Sequence, residues 1–126
     1  MRYFCALALL LATAACGRIS GFDAAAEEAQ IRQVIVDMEA AWNRGDFRGY
    51  MAGFKNPDVV FVSRGELHFS DIRIEMLSPD AAQLISRYRL ERALNPQDGI
   101  NTRLMRKVDG RWVIALNHVS SKEPAR

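Results

Sequence analysis

The C-terminal half of the chain alternates between apolar and polar residues in four successive segments that are separated by short turns. The segments span residues 66–77, 81–94, 101–108 and 111–121. Alternation with a period of two is the pattern of a β-strand that buries one face. Asp109-Gly110, between the last two segments, is a strong signal for a tight hairpin. This half of the chain is therefore predicted to form an antiparallel meander, with a loop over residues 95–99.

The first of these segments changes phase partway along its length. The apolar residues that alternate in it are, in order, Leu67, Phe69, Ile72, Ile74 and Met76. The spacing is two residues on each side of the change and three residues across it. Such a phase shift indicates a bulge or a bend. We expect it at Ser70-Asp71.

The N-terminal half carries two predicted helices. The first is expected over residues 23–43, because apolar residues recur there at spacings of three and four: Ile31, Val34, Ile35, Met38, Ala41 and Trp42. Asp23 is a suitable N-cap, and Gly45 is suited to end the helix. Asp46 can cap a second, short helix, which is followed by a turn at residues 56–58 and a strand at 59–62. Helices followed by an antiparallel meander predict an α+β fold, with the helices packed on one sheet face.

The first sixteen residues have the layout of a bacterial export signal. Arg2 precedes an apolar run over residues 3–12, and small residues lead to Cys16. The run is shorter than the roughly 20 residues that a membrane-spanning helix needs. Thr13-Ala14-Ala15-Cys16 resembles a lipobox, in which the cysteine is lipidated and becomes the new N-terminus. The alternative is an ordinary signal that leaves a free thiol at Cys16.

The lipobox interpretation divides the chain into four parts. Residues 1–15 are the signal peptide, 16–25 a tether, 26–122 the folded domain and 123–126 a tail. Gly17 rather than Asp after the cysteine resembles the signal for export to the outer membrane. We therefore expect an exported protein that is held by a lipid on the periplasmic side of the cell envelope.

Composition excludes several kinds of function. Loss of the signal leaves sixteen of the seventeen Lys and Arg residues against fifteen Asp and Glu, so no basic surface for nucleic acid is expected. Cys5 leaves with the signal and Cys16 carries the lipid, so the domain has no disulfide, thiolate site or cysteine nucleophile. The two histidines, His68 and His118, have no ligand cluster near them in sequence. Neither a metal nor another cofactor is expected.

Several motifs together resemble the nuclear transport factor 2-like family (SnoaL-like, ketosteroid isomerase-like), in particular its small bacterial branch of unknown function. They are Trp42-Asn43-Arg44-Gly45-Asp46, residues 56–63, Phe69-Ser70-Asp71, Asp109-Gly110-Arg111-Trp112, His118 and Ser120. The resemblance covers residues 27–121. It implies a strongly curved, cystatin-like sheet that wraps a helix into a cone with an apolar cavity at one end. No segment between residues 63 and 66 matches the third helix of the family. The resemblance therefore implies a shortened cone, with an open groove, a partner-covered surface or a decayed gene product as the possible consequences.

The resemblance suggests a set of candidate site residues. If Trp112 faces the core, strict alternation points Leu116 and His118 into the cone. His118 could then act as a general base, with Tyr88 as its catalytic companion; the alternative is a core histidine with a hydrogen-bonded partner. The predicted pocket residues are Trp42, Tyr50, Phe54, Phe61, Tyr88, Leu116 and His118. The strand arginines, Arg73, Arg87, Arg89 and Arg103, are expected to lie mostly on the solvent face.

Three functions are compatible with these patterns. The first is binding of a small apolar molecule by a lipid-anchored domain. The second is association, such as a homodimer formed through the outer sheet face. The third is catalysis of the isomerase or lyase (dehydratase) kind by His118 and Tyr88; whether the chain is an enzyme is left open. No carboxylate among Asp46, Asp58 and Asp71 is assigned as a catalytic base.

Overall fold

The computed structural model describes residues 21–58 and 64–122, which form two helices and a four-stranded antiparallel sheet. The elements are α1 (Ala24–Asn43), α2 (Phe47–Met51), β1 (Glu66–Ser78), β2 (Ala81–Glu91), β3 (Gln97–Val108) and β4 (Arg111–Ser121). The helices pack on one face of the curved sheet, as an α+β fold requires. The predicted signal peptide, the strand at 59–62 and the tail lie outside the described residues. No helix in the described part is long and apolar enough to cross a membrane.

Local capping chemistry sets the ends of the helices. The Asp23 carboxylate accepts a hydrogen bond from the Ala26 amide at 3.1 Å and begins α1. Gly45 takes a φ of +78° just after α1, and the Asp46 carboxylate then caps α2 by accepting from the Gly49 amide at 2.8 Å. The predicted apolar stripe is confirmed: Ile31, Ile35, Met38, Ala41 and Trp42 are buried, and Val34 is half-buried.

The strands are joined in chain order, and each pairs with the next in antiparallel register. Asp109 and Gly110 both have positive φ, at +49° and +77°, as a two-residue hairpin turn of the favoured hand requires. The predicted hairpin is therefore confirmed. Two boundaries were wrong: β2 ends at Glu91, and β3 begins at Gln97, inside the predicted loop at 95–99.

A bulge in β1 lies where the phase of its apolar residues changes. Ser70 pairs with Arg87 and Arg73 pairs with Ile85, so β1 has one residue more than β2 between these pairs. Asp71 takes a φ of +50° there. The extra residue allows Phe69 and Ile72 to face the helices from the same side of the sheet. The bulge expected at Ser70-Asp71 is confirmed.

A second bulge, in β4, was not expected. Leu104 pairs with Leu116, but Met105 pairs with Ile114, so Ala115 is the extra residue. Trp112 and Ile114 face the core before this point, and the alternation is reversed after it. Asn117 and Val119 consequently lie on the inner face, where Val119 pairs with the buried Asn101 and remains 48% exposed, whereas Leu116 and His118 lie on the outer face.

Two apolar clusters fill the space between α1 and the inner face of the sheet. The larger lies around Ile31, Ile35, Met105, Trp112 and Ile114. At its end, the Glu27 carboxylate accepts hydrogen bonds from Trp112 Nε1 at 2.7 Å and from Lys107 Nζ at 2.8 Å. The smaller cluster is made by Trp42, Leu67, Tyr88 and Leu90, with Tyr50 and Phe69 packed against it.

The C-terminal end of α1 is bound to the free edge of β1. Asn43 Nδ2 donates to the Leu67 carbonyl at 2.8 Å, and Asn43 Oδ1 accepts from the Leu67 amide at 2.7 Å. Trp42 Nε1 donates to the Gly65 carbonyl at 2.9 Å, and Glu39 Oε2 accepts from the Phe69 amide at 2.6 Å. These side chains satisfy backbone groups that an edge strand would otherwise leave open.

Candidate functional site

A cavity of about 260 Å³ lies beside the smaller apolar cluster, between the helices and the inner face of the sheet. Both helices and all four strands contribute to its wall. The wall is made of apolar and aromatic side chains and three amides: Trp42, Tyr50, Leu67, Phe69, Tyr88, Leu90, Val119, Gln97, Asn101 and Asn117. An apolar cavity with a few polar groups is the usual form of a small-molecule site.

The aromatic part of the wall is held in place by direct contacts. The Trp42 and Tyr50 rings meet edge to face, with their centroids 4.9 Å apart and their planes at 68°. The hydrogen bond from Trp42 Nε1 to the Gly65 carbonyl fixes the indole ring. The Tyr88 ring packs closely on Gly99, its partner residue on β3. A Cβ added to Gly99 would lie only 2.9 Å from the ring. The cavity therefore has a preformed wall.

Arg103 lies directly behind this wall. Its side chain is buried, with 2% of the residue exposed, and its guanidinium carbon lies 4.6 Å from the centroid of the Phe69 ring. Arg103 Nε donates to Asn117 Oδ1 at 3.1 Å. Phe69 and Asn117 both line the cavity, so one layer of side chains separates the guanidinium from it.

The Arg103 guanidinium is a buried cation that is paired with no anion in the part of the chain that the structure describes. None of the ion pairs formed by the described residues includes it, and its Nη1 has no hydrogen-bond acceptor among those residues. Burial lowers the pKa of Arg103 to about 10, an effect that the nearby Tyr50 partly opposes. The guanidinium therefore remains charged at neutral pH.

Other polar groups lie on the same inner surface. Ser86 pairs with Asn101 across β2 and β3, and the buried Ser86 Oγ likewise has no partner in the described part of the chain. Burial raises the pKa of Tyr50, although the Arg103 charge opposes this. Burial and, secondly, the Asp98 charge raise the pKa of Tyr88. Both phenols therefore keep their protons at neutral pH and can donate hydrogen bonds.

The structure brings together three of the predicted pocket residues: Trp42, Tyr50 and Tyr88. Phe54 lies elsewhere: it pairs with Ile114 at the outer edge of β4 and packs against the larger apolar cluster. Phe61 lies outside the described residues.

Leu116 and His118 do not face the cavity. Leu116 is 62% exposed and His118 is exposed as well, so the expectation that they point into the cone was wrong. The physical reason is the bulge at Ala115, which reverses the alternation of β4. Asn117 and Val119 occupy the inward positions instead.

The sequence did not lead us to the polar residues at the cavity, although the spacing of Arg103 indicates that it lies on the buried face of β3. Arg103 follows Asn101 and precedes Met105 at intervals of two, and all three are buried on the inner face of β3. The apolar Met105 marks that face as the buried one. For Asn117 no such signal existed, because the bulge in β4 hides its phase.

Other features of the surface are less suited to ligand recognition. A depression of about 360 Å³ lies between α1, α2 and the hairpin after β3. Its lining in the described part of the chain has one aromatic residue, Trp112, and the buried Arg103 is not among its residues, whereas it contacts Phe69 and Asn117 of the cavity. Over residues 21–58 and 64–122, no three His, Cys, Asp or Glu side chains gather into a possible metal site.

Comparison with solved structures gives clear similarities. A nuclear transport factor 2-like protein of unknown function from Shewanella oneidensis is 32% identical, with a TM-score of 0.65, over 74% of this chain and 98% of that chain. A protein of unknown function with a cystatin-like fold from Nostoc punctiforme is 17% identical, with a TM-score of 0.63, over 78% and 92%. A ketosteroid isomerase-like protein from Erwinia carotovora atroseptica is 19% identical, with a TM-score of 0.59, over 78% and 98%. The last two show the fold alone. No protein-family model and no curated protein matches the chain.

Proposed function

The chain belongs to the nuclear transport factor 2-like family, and on that premise we propose that it binds a small molecule in the cavity beside Trp42 and Tyr88. The observation that carries the proposal is the buried Arg103, whose Nη1 has no partner among the described residues, behind an apolar, preformed wall. A protein that needed this region for packing alone would gain stability from an apolar residue at this position. A charge held there at such a cost is typical of a binding site.

Binding is a better proposal than catalysis for this cavity. The isomerase or lyase hypothesis required His118 as a base inside the cone, and the bulge in β4 turns His118 outwards. Tyr88 remains at the cavity, but its raised pKa makes it a hydrogen-bond donor rather than a base at neutral pH. A donor that orients a ligand requires no further catalytic group.

Ligand-dependent stabilisation tests the binding proposal. Thermal unfolding of the purified protein in a library of small metabolites should show an increase in Tm with particular compounds, because a ligand that binds only the folded state stabilises it. Val119→Trp should abolish that increase, since Val119 lies on the cavity wall. Leu116→Trp is the matched control, because residue 116 lies on the same strand but faces outwards. If no compound shifts Tm, or if both variants respond alike, the proposal is wrong.

We propose further that a lipid on Cys16 holds the domain at the periplasmic side of the envelope. The support is the lipobox-like sequence Thr13-Ala14-Ala15-Cys16 after a short apolar run. Cys16→Ser should move the protein from the membrane fraction to the soluble fraction of its host. Cys5→Ser is the control, because Cys5 lies within the expected signal and should leave the distribution unchanged. A Cys16→Ser protein that still fractionates with membranes would contradict this proposal.

Association of two copies through the outer face of the sheet is a second candidate function. The observation that favours it is a group of exposed apolar residues on that face: Ile85, Ile100 and Leu116. Apolar residues gathered on one face of a sheet are a common feature of protein interfaces. A small-molecule cavity on the inner face and a dimer contact on the outer face are compatible with each other. If this chain lacks the third helix of the family, as its sequence predicts, still more apolar surface is left to cover.

A further inference from the structure

We propose that the ligand of this cavity is a small monoanion, a carboxylate on an apolar ring or chain, and that the buried guanidinium of Arg103 selects it. The proposal rests on the proposed function, because it assumes that the cavity binds a small molecule. It adds the chemical class of that molecule and the residue that recognises it.

The position of Arg103 supports the first step. Three neighbours of Arg103 line the cavity. Asn101 precedes it by two residues on β3, and Asn117 pairs with it on β4. The ring of Phe69 lies against its guanidinium. The guanidinium has five N–H donors. Nε is bonded to Asn117, whereas Nη1 is buried and lacks an acceptor within the described ranges 21–58 and 64–122. Arg103 itself does not line the cavity, so Asn117 or Phe69 must move aside for an oxygen of the ligand to reach this donor.

Charge supports the second step. A buried cation without an anion is costly, because the hydrogen bond to Asn117 and the contact with the Phe69 ring replace only part of the water that solvated it. The lowered pKa of Arg103 reflects that cost. An anion in the cavity would supply the missing charge and accept the free N–H, and such charge-assisted bonds are strong at low dielectric. A neutral alcohol of the same shape could accept the N–H but would supply no charge.

The rest of the wall restricts which anion fits. One buried cation matches a single negative charge better than a doubly charged phosphate. The apolar side chains of Trp42, Leu67, Tyr88 and Leu90 suit a hydrocarbon body, and the cavity of about 260 Å³ limits its size. A planar carboxylate also matches the planar fork of a guanidinium. These features together indicate a short aliphatic, alicyclic or aromatic acid.

Arg103 could instead be a structural residue that only positions Asn117 and Phe69. The two roles predict opposite results for Arg103→Met, which retains an apolar stem and removes the charge. If Arg103 is kept for an anion, the variant without ligand should have a Tm higher by about 4 °C or more. If Arg103 is structural, its removal should lower Tm.

The experiment compares acids with alcohols of the same shape. The probes are cyclohexanecarboxylate with cyclohexylmethanol and benzoate with benzyl alcohol, and affinity is measured by NMR titration of the full-length Cys16→Ser protein. The native Arg103 should favour each acid by about tenfold or more. Arg103→Met should reduce acid binding to the alcohol level and leave alcohol binding nearly unchanged. Arg73→Met, which removes an exposed arginine from the outer face of β1, should keep the full preference.

The outcomes separate this proposal from the binding proposal. If alcohols bind as tightly as acids and Val119→Trp abolishes both, the cavity binds ligands but the proposed selectivity is wrong. If neither the acids nor the alcohols bind and Val119→Trp changes nothing, both proposals are wrong. If Arg103→Met fails to fold, Arg103→Lys is measured instead. A lysine keeps the charge and should keep a weaker acid preference, and an Arg103→Lys protein without any preference would overturn the role of the charge.

Discussion

At the scale of single residues, Glu27 and Arg103 are two charges that the fold treats in opposite ways. Glu27 is held by Lys107 and Trp112 at one end of the fold, and its three hydrogen bonds satisfy it. Arg103 lies in the interior with one side-chain bond and no counterion in the described part. A satisfied charge is consistent with a structural role, whereas an unsatisfied one requires a functional explanation.

Glu27 should make stability depend on acid pH. Hydrogen bonds from Lys107 and then from Trp112 lower the pKa of Glu27 below its ordinary value of 4.5. The carboxylate therefore stabilises the fold fully above that value, and the contribution is lost as the pH falls through the lowered pKa of the folded state. Urea unfolding between about pH 7 and pH 2 should show a shallower acid decline for Glu27→Gln than for the native protein.

Glu28→Gln is the matched control for this measurement. Glu28 is the next residue of α1, and its ion pair with Arg32 is exposed to solvent. Its replacement should leave the acid decline nearly unchanged. If Glu27→Gln and Glu28→Gln give the same acid profile, the hydrogen bonds of Glu27 are not what stabilises this end of the domain.

At the scale of elements, single residues decide how neighbouring segments meet. The bulge at Asp71 follows a change of phase that is visible in β1 itself, so sequence reasoning found it. The bulge at Ala115 lies in a run of apolar residues from Trp112 to Leu116, where no change of phase can be seen. It is defined by the pairing of β4 with β3, which joins residues nine and twelve positions apart, Met105 to Ile114 and Leu104 to Leu116. For this reason the orientation of Leu116 and His118 was predicted wrongly.

Asn43 should account for much of the attachment of α1 to the edge of β1. Its amide makes two hydrogen bonds with the backbone of Leu67, at 2.7 and 2.8 Å. Asn43→Ala should lower the free energy of unfolding by about 2 kcal/mol, because each such bond contributes about 1 kcal/mol. Asn43→Asp retains the acceptor for the Leu67 amide and should lose less. Chemical denaturation of the two variants measures the difference, and an Asn43→Ala protein as stable as the native one would contradict this account.

At the scale of the whole molecule, the two faces of the sheet have different roles. The inner face carries the apolar clusters, the cavity and Arg103, whereas the outer face carries exposed arginines together with Ile85, Ile100 and Leu116. This division follows from four strands of alternating residues packed on one side by helices. The position of each residue relative to the two bulges decides to which face it belongs.

The outer face should decide the association state. If two copies pair there, light scattering at micromolar concentration should give the mass of a dimer. Leu116→Asp should then give a monomer, because a charge in the centre of an apolar contact is costly to bury. Arg89→Asp is the control, because Arg89 is exposed on the same face. It tests whether an acid added anywhere on this face gives a monomer. A native protein that is monomeric throughout the concentration range would exclude the dimer.

What the sequence determined by itself was local. The caps at Asp23 and Asp46, the hairpin at Asp109-Gly110, the apolar stripe of α1 and the bulge of β1 all depend on residues within a few positions of one another. The α+β class follows from the order of such elements. The tertiary structure alone decided that Arg103 is buried without a counterion in the described residues, that Asn117 and Val119 line the cavity, and that His118 faces outwards. Those properties depend on the register between strands and on the packing of the helices over them, because burial and pairing are made by residues distant along the chain.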